Sequence, residues 1–199
     1  FNNNIASYRE ATKIMTDPLV SGINILAIPG IRASYITDYA ASRTKDFSRA
    51  MYLMDIPTYD DNKTRLYSDS TRKPDVDKTS EKFEARAVDN NYAAAYFPDV
   101  TAADSDSARP YRVPASVAAL AALGYNDSVS FPWFAPAGFN RGGLDFVTNA
   151  KVRLTAGDRD TLYEARINPI SKFPSAGYVI FGQKTLQRSR SALDRVNVR

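Results

Sequence analysis

The chain has 199 residues, 44% of them hydrophobic and 12% aromatic, which is enough for one good-sized core or two small ones and far from the composition of a disordered segment. It contains no cysteine and no histidine, which removes disulfides, thiolate nucleophiles, imidazole bases and the usual zinc sites together. The formal net charge of +4 is unevenly placed: from Asn168 onward six basic residues (Lys172, Lys184, Arg188, Arg190, Arg195, Arg199) face one acid, Asp194, so that stretch alone carries +5.

In chain order, Ile5, Tyr8, Ala11, Thr12 and Met15 fit one helical face, with Pro18 just beyond it. "GINILAIPG" is an apolar run closed by Pro29-Gly30, as a buried strand ending in a turn would be. Thr37 and Asp38 are placed to cap a helix running to about Arg49, after which "AMYLMDIP" is a second buried strand. Residues 58–80 are polar and rich in turn formers, the pattern of an exposed loop or insertion.

A short helix is expected from about Glu81 to Val88, leading into "YAAAYFP", a third buried strand stopped by Pro98, and then a loop over 99–112. "VPASVAALAALGYND" has Pro114 at a helix start, Gly124 where a left-handed cap would fall, and an interior apolar nearly all round, so this helix must be buried. After the Pro- and Gly-rich "SFPWFAPAGFNRGGL", "AKVRL" reads as a strand, Thr155 opens a helix to about Arg166, and "GYVIF" is a further strand. Apolar strands alternating with helices give an α/β layered domain with a largely parallel or mixed sheet and helices on both faces. Both ends look cut, "RVNVR" at the close being strand-like, so a fragment of a longer protein is expected. No apolar run approaches the roughly 20 residues a bilayer requires, and no membrane insertion is expected.

Without histidine, a Ser-His-Asp triad is impossible, and catalysis would fall to carboxylates, Lys, Tyr or an oxygen-ligated metal. "GYVIFGQKT" lies within one inserted residue of the phosphate-loop pattern, but its spacers Tyr178, Val179, Ile180 and Phe181 favour extended strand, and Gln183 displaces Lys184 by one place. Asp104 and Asp106 in "DSDS" resemble the start of a calcium loop, yet Arg109 stands where the turn glycine belongs. Asp60 with Asp61, and Asp158 with Asp160, are possible acid–base pairs; a polar loop and a helix first turn account for them without chemistry. Pro29-Gly30 follows a strand where α/β folds bind ligands, but a lone glycine is not a dinucleotide fingerprint. Trp133, between Pro132 and Phe134, is either a lid on the core or an anchor for a partner, with the lid as the expected reading. The basic end lacks the interleaved exposed aromatics of a single-strand-binding groove, so a protein partner is favoured over nucleic acid.

The segments "NNYAAAYFPDV", "VPASVAALAALGYND", "PWFAPAGFNRGGL", "LYEARINPISKFPSAGYVIFGQKTL" and "RVNVR", in that order and spacing, closely resemble the tail sheath proteins of contractile-tailed bacteriophages. The match runs from Tyr92 to Arg199, with "NILAIPGI" as a weaker earlier part of the same core. The resemblance implies a non-enzymatic virion subunit with a subtilisin-like α/β core that lacks catalytic residues and takes no cofactor or metal. Such subunits stack around a tail tube and contract to drive it through the host envelope. It implies neighbouring sheath subunits and the tube protein as partners, with assembly in the host cytoplasm. Family members are longer and extend their chain ends into neighbours' sheets; with those extensions missing, this piece alone is expected to be monomeric. Arg188 and Arg190 are the expected contacts to an acidic patch on a neighbour or on the tube. The sheath of a phage-derived injection device is a close alternative. An Asp-based metal- or nucleotide-binding enzyme using Asp60, Asp61, Asp104, Asp106 or Lys184 is the alternative from another class.

Overall fold

The computed structural model describes residues 2–103 and 109–198. Helix α1 (Asn2–Met15) leads to strand β1 (Ile25–Ala27), helix α2 (Ser34–Phe47) and strand β2 (Met51–Asp55). A small hairpin, β3 (Thr58–Tyr59) and β4 (Arg65–Leu66), precedes helix α3 (Val76–Glu84) and strand β5 (Ala93–Phe97). Strands β6 (Val100–Ala103) and β7 (Pro110–Val113) come next, followed by helix α4 (Ala115–Val129) and strand β8 (Val147–Ala150). Helix α5 (Ala156–Glu164), β9 (Ile167–Phe173), β10 (Gly177–Ile180) and two 3-10 turns, Ala192–Asp194 and Val196–Val198, complete the order.

The main sheet has five strands in the order β1-β2-β5-β9-β10. The first four run parallel and β10 returns antiparallel to β9. Every residue of β2 and β5 is buried, and alternation along them supplies two cores at once. Met51, Leu53, Ala94 and Tyr96 point to α4 and the small sheet β7-β6-β8, while Tyr52, Met54, Ala93, Ala95 and Phe97 meet α2, α3 and α5. Helix α1 packs on α2, outside the second layer. The alanines of α4, with Ala115, Ala118, Ala119 and Ala122 buried, let that helix lie close against β5's own alanines. Each fully buried large side chain in these layers, such as Leu53 or Ile170, contributes about 2 kcal/mol of transfer free energy.

Several elements depart from the expectations. Helix α2 starts at Ser34; Thr37 and Asp38, expected as a cap, instead hold Arg86, whose Nη2 donates to the Thr37 hydroxyl at 2.9 Å and pairs with Asp38. Helix α3 begins at Val76 because the Asp75 side chain accepts the Lys78 N–H at 2.8 Å, so the 58–80 segment contains a hairpin and half a helix as well as loop. The described residues of the 99–112 segment lie mostly in two strands, β6 and β7, of an antiparallel sheet, and the third strand of that sheet is β8 rather than "AKVRL". Within the strand-like "RVNVR", Val196–Val198 form a 3-10 turn after a single Lys184–Arg195 bridge.

Strand β9 carries no strand expectation from the sequence, because Asn168, Pro169, Ser171 and Lys172 interrupt its apolar pattern. Buried Asn168 makes it a sheet element: its Nδ2 donates to the carbonyls of Ala95 (3.1 Å) and Lys184 (2.8 Å), and its Oδ1 accepts the Lys184 N–H at 2.7 Å. The outer edge of β10 is covered by residues 138–144, through bonds from Gly138 N–H to Ile180 O, Ile180 N–H to Gly142 O and Leu144 N–H to Tyr178 O.

Gly124 is interior to α4, which continues to Val129 and stops at Ser130. Nothing lies within 4 Å of a Cβ added there. Gly124→Ala is therefore expected to stabilise the fold by about 0.8 kcal/mol in urea unfolding, the interior glycine penalty removed; destabilisation would restore the cap assignment. At Gly142 an added Cβ meets Ile180 O at 2.7 Å and Gly138 N at 2.8 Å, so Gly142→Ala is expected to cost about 2 kcal/mol in the same measurement.

Candidate functional site

The carboxyl ends of the parallel strands, where an open α/β sheet offers a ligand crevice, are closed from within. Asp55 ends β2 at 1% exposure. Its carboxylate accepts the Gly30 N–H at 2.8 Å, the Ser116 N–H at 2.9 Å and the Ser116 hydroxyl at 2.8 Å. The anion that a helix N-terminus attracts is thus the chain's own side chain, seated on the first turn of α4. Gly30, at φ +78, turns its N–H toward that carboxylate, and so the Pro29-Gly30 turn is a clasp. Beside it Arg32 pairs with Asp99, another acid just past a strand end. Burial pushes the Asp55 carboxyl above the ordinary aspartate range, against the opposing pull of the Gly30 and Ser116 donors and of Arg32.

The other acids flagged in the sequence do not converge. Asp60 is buried and bonds the N–H groups of Asn62 (3.1 Å) and Thr64 (2.7 Å) and the Arg72 guanidinium, whereas Asp61 is exposed and bonds Asn62. Asp158 closes a capping box with Thr155, and Asp160 is exposed on the next turn. Asp104 and Asp106 lie outside the described residues. Among the described residues no group of three or more acids is arranged to hold a metal ion, and no helix is long and apolar enough to cross a membrane.

The near-phosphate-loop is β10 and the turn after it. Lys184 reaches no open cradle: its Nζ donates to the Tyr163 carbonyl at 2.8 Å and sits 3.6 Å from the Tyr163 ring centroid, at the end of α5. Burial lowers its pKa, and Arg166 and Arg195 add to the effect.

The basic stretch does not form one patch. Lys172 is on the β9–β10 hairpin over Tyr178, and Arg166, from outside the stretch, joins the rest by donating to the carbonyls of Gln187 and Arg188. Arg188 and Arg190 are both exposed. The Arg188 backbone N–H donates to Asp89 at 2.8 Å and its guanidinium to the Glu84 carbonyl at 3.3 Å. Arg190 has no hydrogen bond or ion pair among the described residues and is exposed.

Trp133 is not a lid. It is 62% exposed, stacks on Phe131 at 4.6 Å with rings 3° from parallel, and accepts at its carbonyl from Asn197 at 3.0 Å. A second cluster joins Phe139, Phe173 and Phe181 at centroid separations of 5.0, 5.8 and 5.1 Å. The sequence shows that these aromatics exist; their exposure follows from the crossing segment running outside α4 and β10, which periodicity does not reveal. Asp55 was equally missed, although an acid closing an apolar run, as in "YLMDIP", is the pattern of a strand-end clasp.

Asp55, Asp60, Asp158 and Lys184 thus bond within the fold, while Trp133, Phe139 and Phe181 stay exposed at its margins. The model of the phage tail sheath protein central domain matches residues 57–186. The chain belongs to the phage tail sheath family. It is 37% identical over 124 residues to the tail sheath protein of Vibrio phage KVP40, covering 62% of this chain and 17% of that protein. Against the tail sheath protein of Enterobacteria phage T4 it is 36% identical over 115 residues, covering 57% of this chain and 16% of that protein. The contracted sheath complex of the extracellular contractile injection system PVC superposes over 94% of this chain and 47% of its own, with TM-score 0.66 and 19% identity. The contracted helical sheath of the anti-feeding prophage matches 88% of this chain and 42% of its own, with TM-score 0.60 and 22% identity. These two likenesses establish a shared sheath fold, mixed α/β in class.

Asp55→Ala leaves three buried donors without an acceptor, and a loss of about 3 kcal/mol is expected in chemical denaturation. A raised folded pKa means that the Asp55 contribution is full below about pH 4, the ordinary aspartate value, and is lost as pH rises through the raised value. The stability gap between wild type and Asp55→Ala should therefore narrow over that interval.

Proposed function

We propose that this chain is the conserved core of a contractile tail sheath subunit, a part of a longer protein that polymerises around a tail tube and contracts to drive the tube through the host envelope. The observation that carries the reading is the sheath-domain match over residues 57–186. The doubly covered sheet supports movement of the core as a nearly rigid body, because its strands gain nothing by rearranging while buried on both faces. The stroke then comes from contacts between bodies with two arrangements, many small differences summing along the polymer.

The core performs no chemistry in this reading; it is a subtilisin-like α/β body without catalytic residues. Residues 1–199 act as one unit, monomeric when separated from the rest of the protein. The assembled protein resides in the virion tail after assembly in the host cytoplasm. Arg188 and Arg190 contact an acidic patch on a neighbouring subunit or the tube, and the freer of the two, Arg190, carries most of that attraction. The fold likeness to two injection-device sheaths supports a second reading as such a sheath, while the higher identity to the two phage proteins favours the phage.

Electron microscopy of the full-length protein tests the reading: hollow cylinders are expected, and a protein that stays dispersed at every concentration contradicts it. The double reversal R188E/R190E is expected to weaken cylinder formation roughly tenfold, the scale of one lost interfacial charge contact, with the loss shrinking as salt rises. Unchanged assembly at low salt removes the two arginines from the interface.

A further inference from the structure

The sequence of α4 asks for more cover than the fold gives it. From Val113 to Asn126 the chain carries no charged residue, and a helix apolar nearly all round is the kind found buried on every side. One face of α4 meets β1, β2 and β5, with Ala115, Ala118, Ala119, Ala122 and Leu123 buried. The opposite face is open to solvent. Leu120, Ala121, Gly124, Tyr125 and Ser128 are exposed on it at helical spacing, Leu120 by 41% and Tyr125 by 53%, with Val117 partly buried beside them. Asp127, in the last turn, is the first charge the helix carries, and the exposed Phe131–Trp133 stack follows beyond its end. Ala121 and Gly124 keep the middle of the face low, and nothing lies within 4 Å of a Cβ added at Gly124, so a partner's backbone can approach closely there.

An uncovered apolar helix face marks a contact, and two observations choose its occupant. The first is the lack of charge. A contact that passes between two arrangements has to open, whereas contacts that never open are the more apolar ones. The α4 face is of the second kind, unlike the surface that carries Arg188 and Arg190. The second observation is length. The chain spans 17% of the KVP40 tail sheath protein and 47% of the PVC sheath chain, so in both more than half of the polypeptide lies outside the matched part. A permanent cover for α4 is therefore available within one polypeptide.

We propose that in the full-length protein the outer face of α4 is covered by an apolar surface of the same polypeptide, from outside residues 1–199, in a contact made within each subunit before any assembly. The inference rests on the reading above that this chain is the core of a longer sheath subunit. It places α4 inside the unchanging body of that subunit, covered on both sides as β2 and β5 are.

Residues 1–199 contain no cysteine, so A121C in a full-length protein freed of any others is a single reporter on this face. Maleimide labelling of the monomer fraction from size exclusion is compared with labelling of the same protein unfolded in urea. The thiol is expected to react more slowly in the folded monomer by roughly tenfold or more, the protection a stable contact gives. Labelling at the unfolded rate in the monomer overturns the proposal. If protection then appears only in cylinders, the face is a contact between subunits; if it appears in neither state, the face is uncovered. Both results leave the sheath reading standing, and failure of the wild type to form cylinders counts against that reading alone. Should A121C not stay soluble, carbene footprinting of the unmodified monomer reads the same face: Leu120 and Tyr125 are expected to stay unlabelled, and labelling of both overturns the proposal.

Discussion

Burial of β2 and β5 on both faces is the constraint from which the rest of the molecule follows. Ten consecutive-register positions with no solvent face require a layer on each side, and the chain supplies α4 with the small antiparallel sheet on one and α2, α3 and α5 on the other. Two layers leave no open crevice at the strand ends unless the loops splay. Here they are drawn in instead: Asp55 ties the end of β2 to the Gly30 turn and to the first turn of α4, and the Arg32–Asp99 pair lies beside it. A fold of this kind has exchanged the usual ligand position of an α/β sheet for an internal bond.

The consequence is a division of labour between interior and margin. Inside, polar groups such as Asp55, Asp60, Asn168 and Lys184 are committed to the chain's own backbone. Outside, Arg190, the stacked Phe131–Trp133 pair and the Phe139–Phe173–Phe181 cluster carry exposed charge and aromatic surface. The proposed sheath role rests on this distribution: a body that does not change, and contacts that can.

The central layers were legible in the sequence because β2, β5 and α4 are apolar without interruption, and nothing but burial accounts for such runs. Helices on both faces followed from the alternation, but the strand order did not. What was not legible depends on distant partners. Strand β9 hides behind Asn168 and Pro169, and only the carbonyls of Ala95 and Lys184, brought in from other segments, turn that asparagine into a stitch between strands. The α3 start was present locally in Asp75 yet was overshadowed by the polar run around it. Charge counted along the chain grouped Lys172 with Arg190, although the fold places the first in β9 across from Tyr178 and the second in the segment after β10. Family membership could be read from ordered segments, whereas the exposed aromatic clusters required three dimensions, since each is defined by what the fold leaves uncovered.

The account stands on the claim that the doubly buried sheet is one rigid unit and that change is confined to the margins. Hydrogen–deuterium exchange on the full-length protein, compared between extended and contracted sheaths, tests it directly. Equal protection of the amides in 51–55 and 93–97 in both states, with differences restricted to edge segments such as 17–24 and 131–146, is the expected result. Loss or gain of protection within those two central strands on contraction would contradict it.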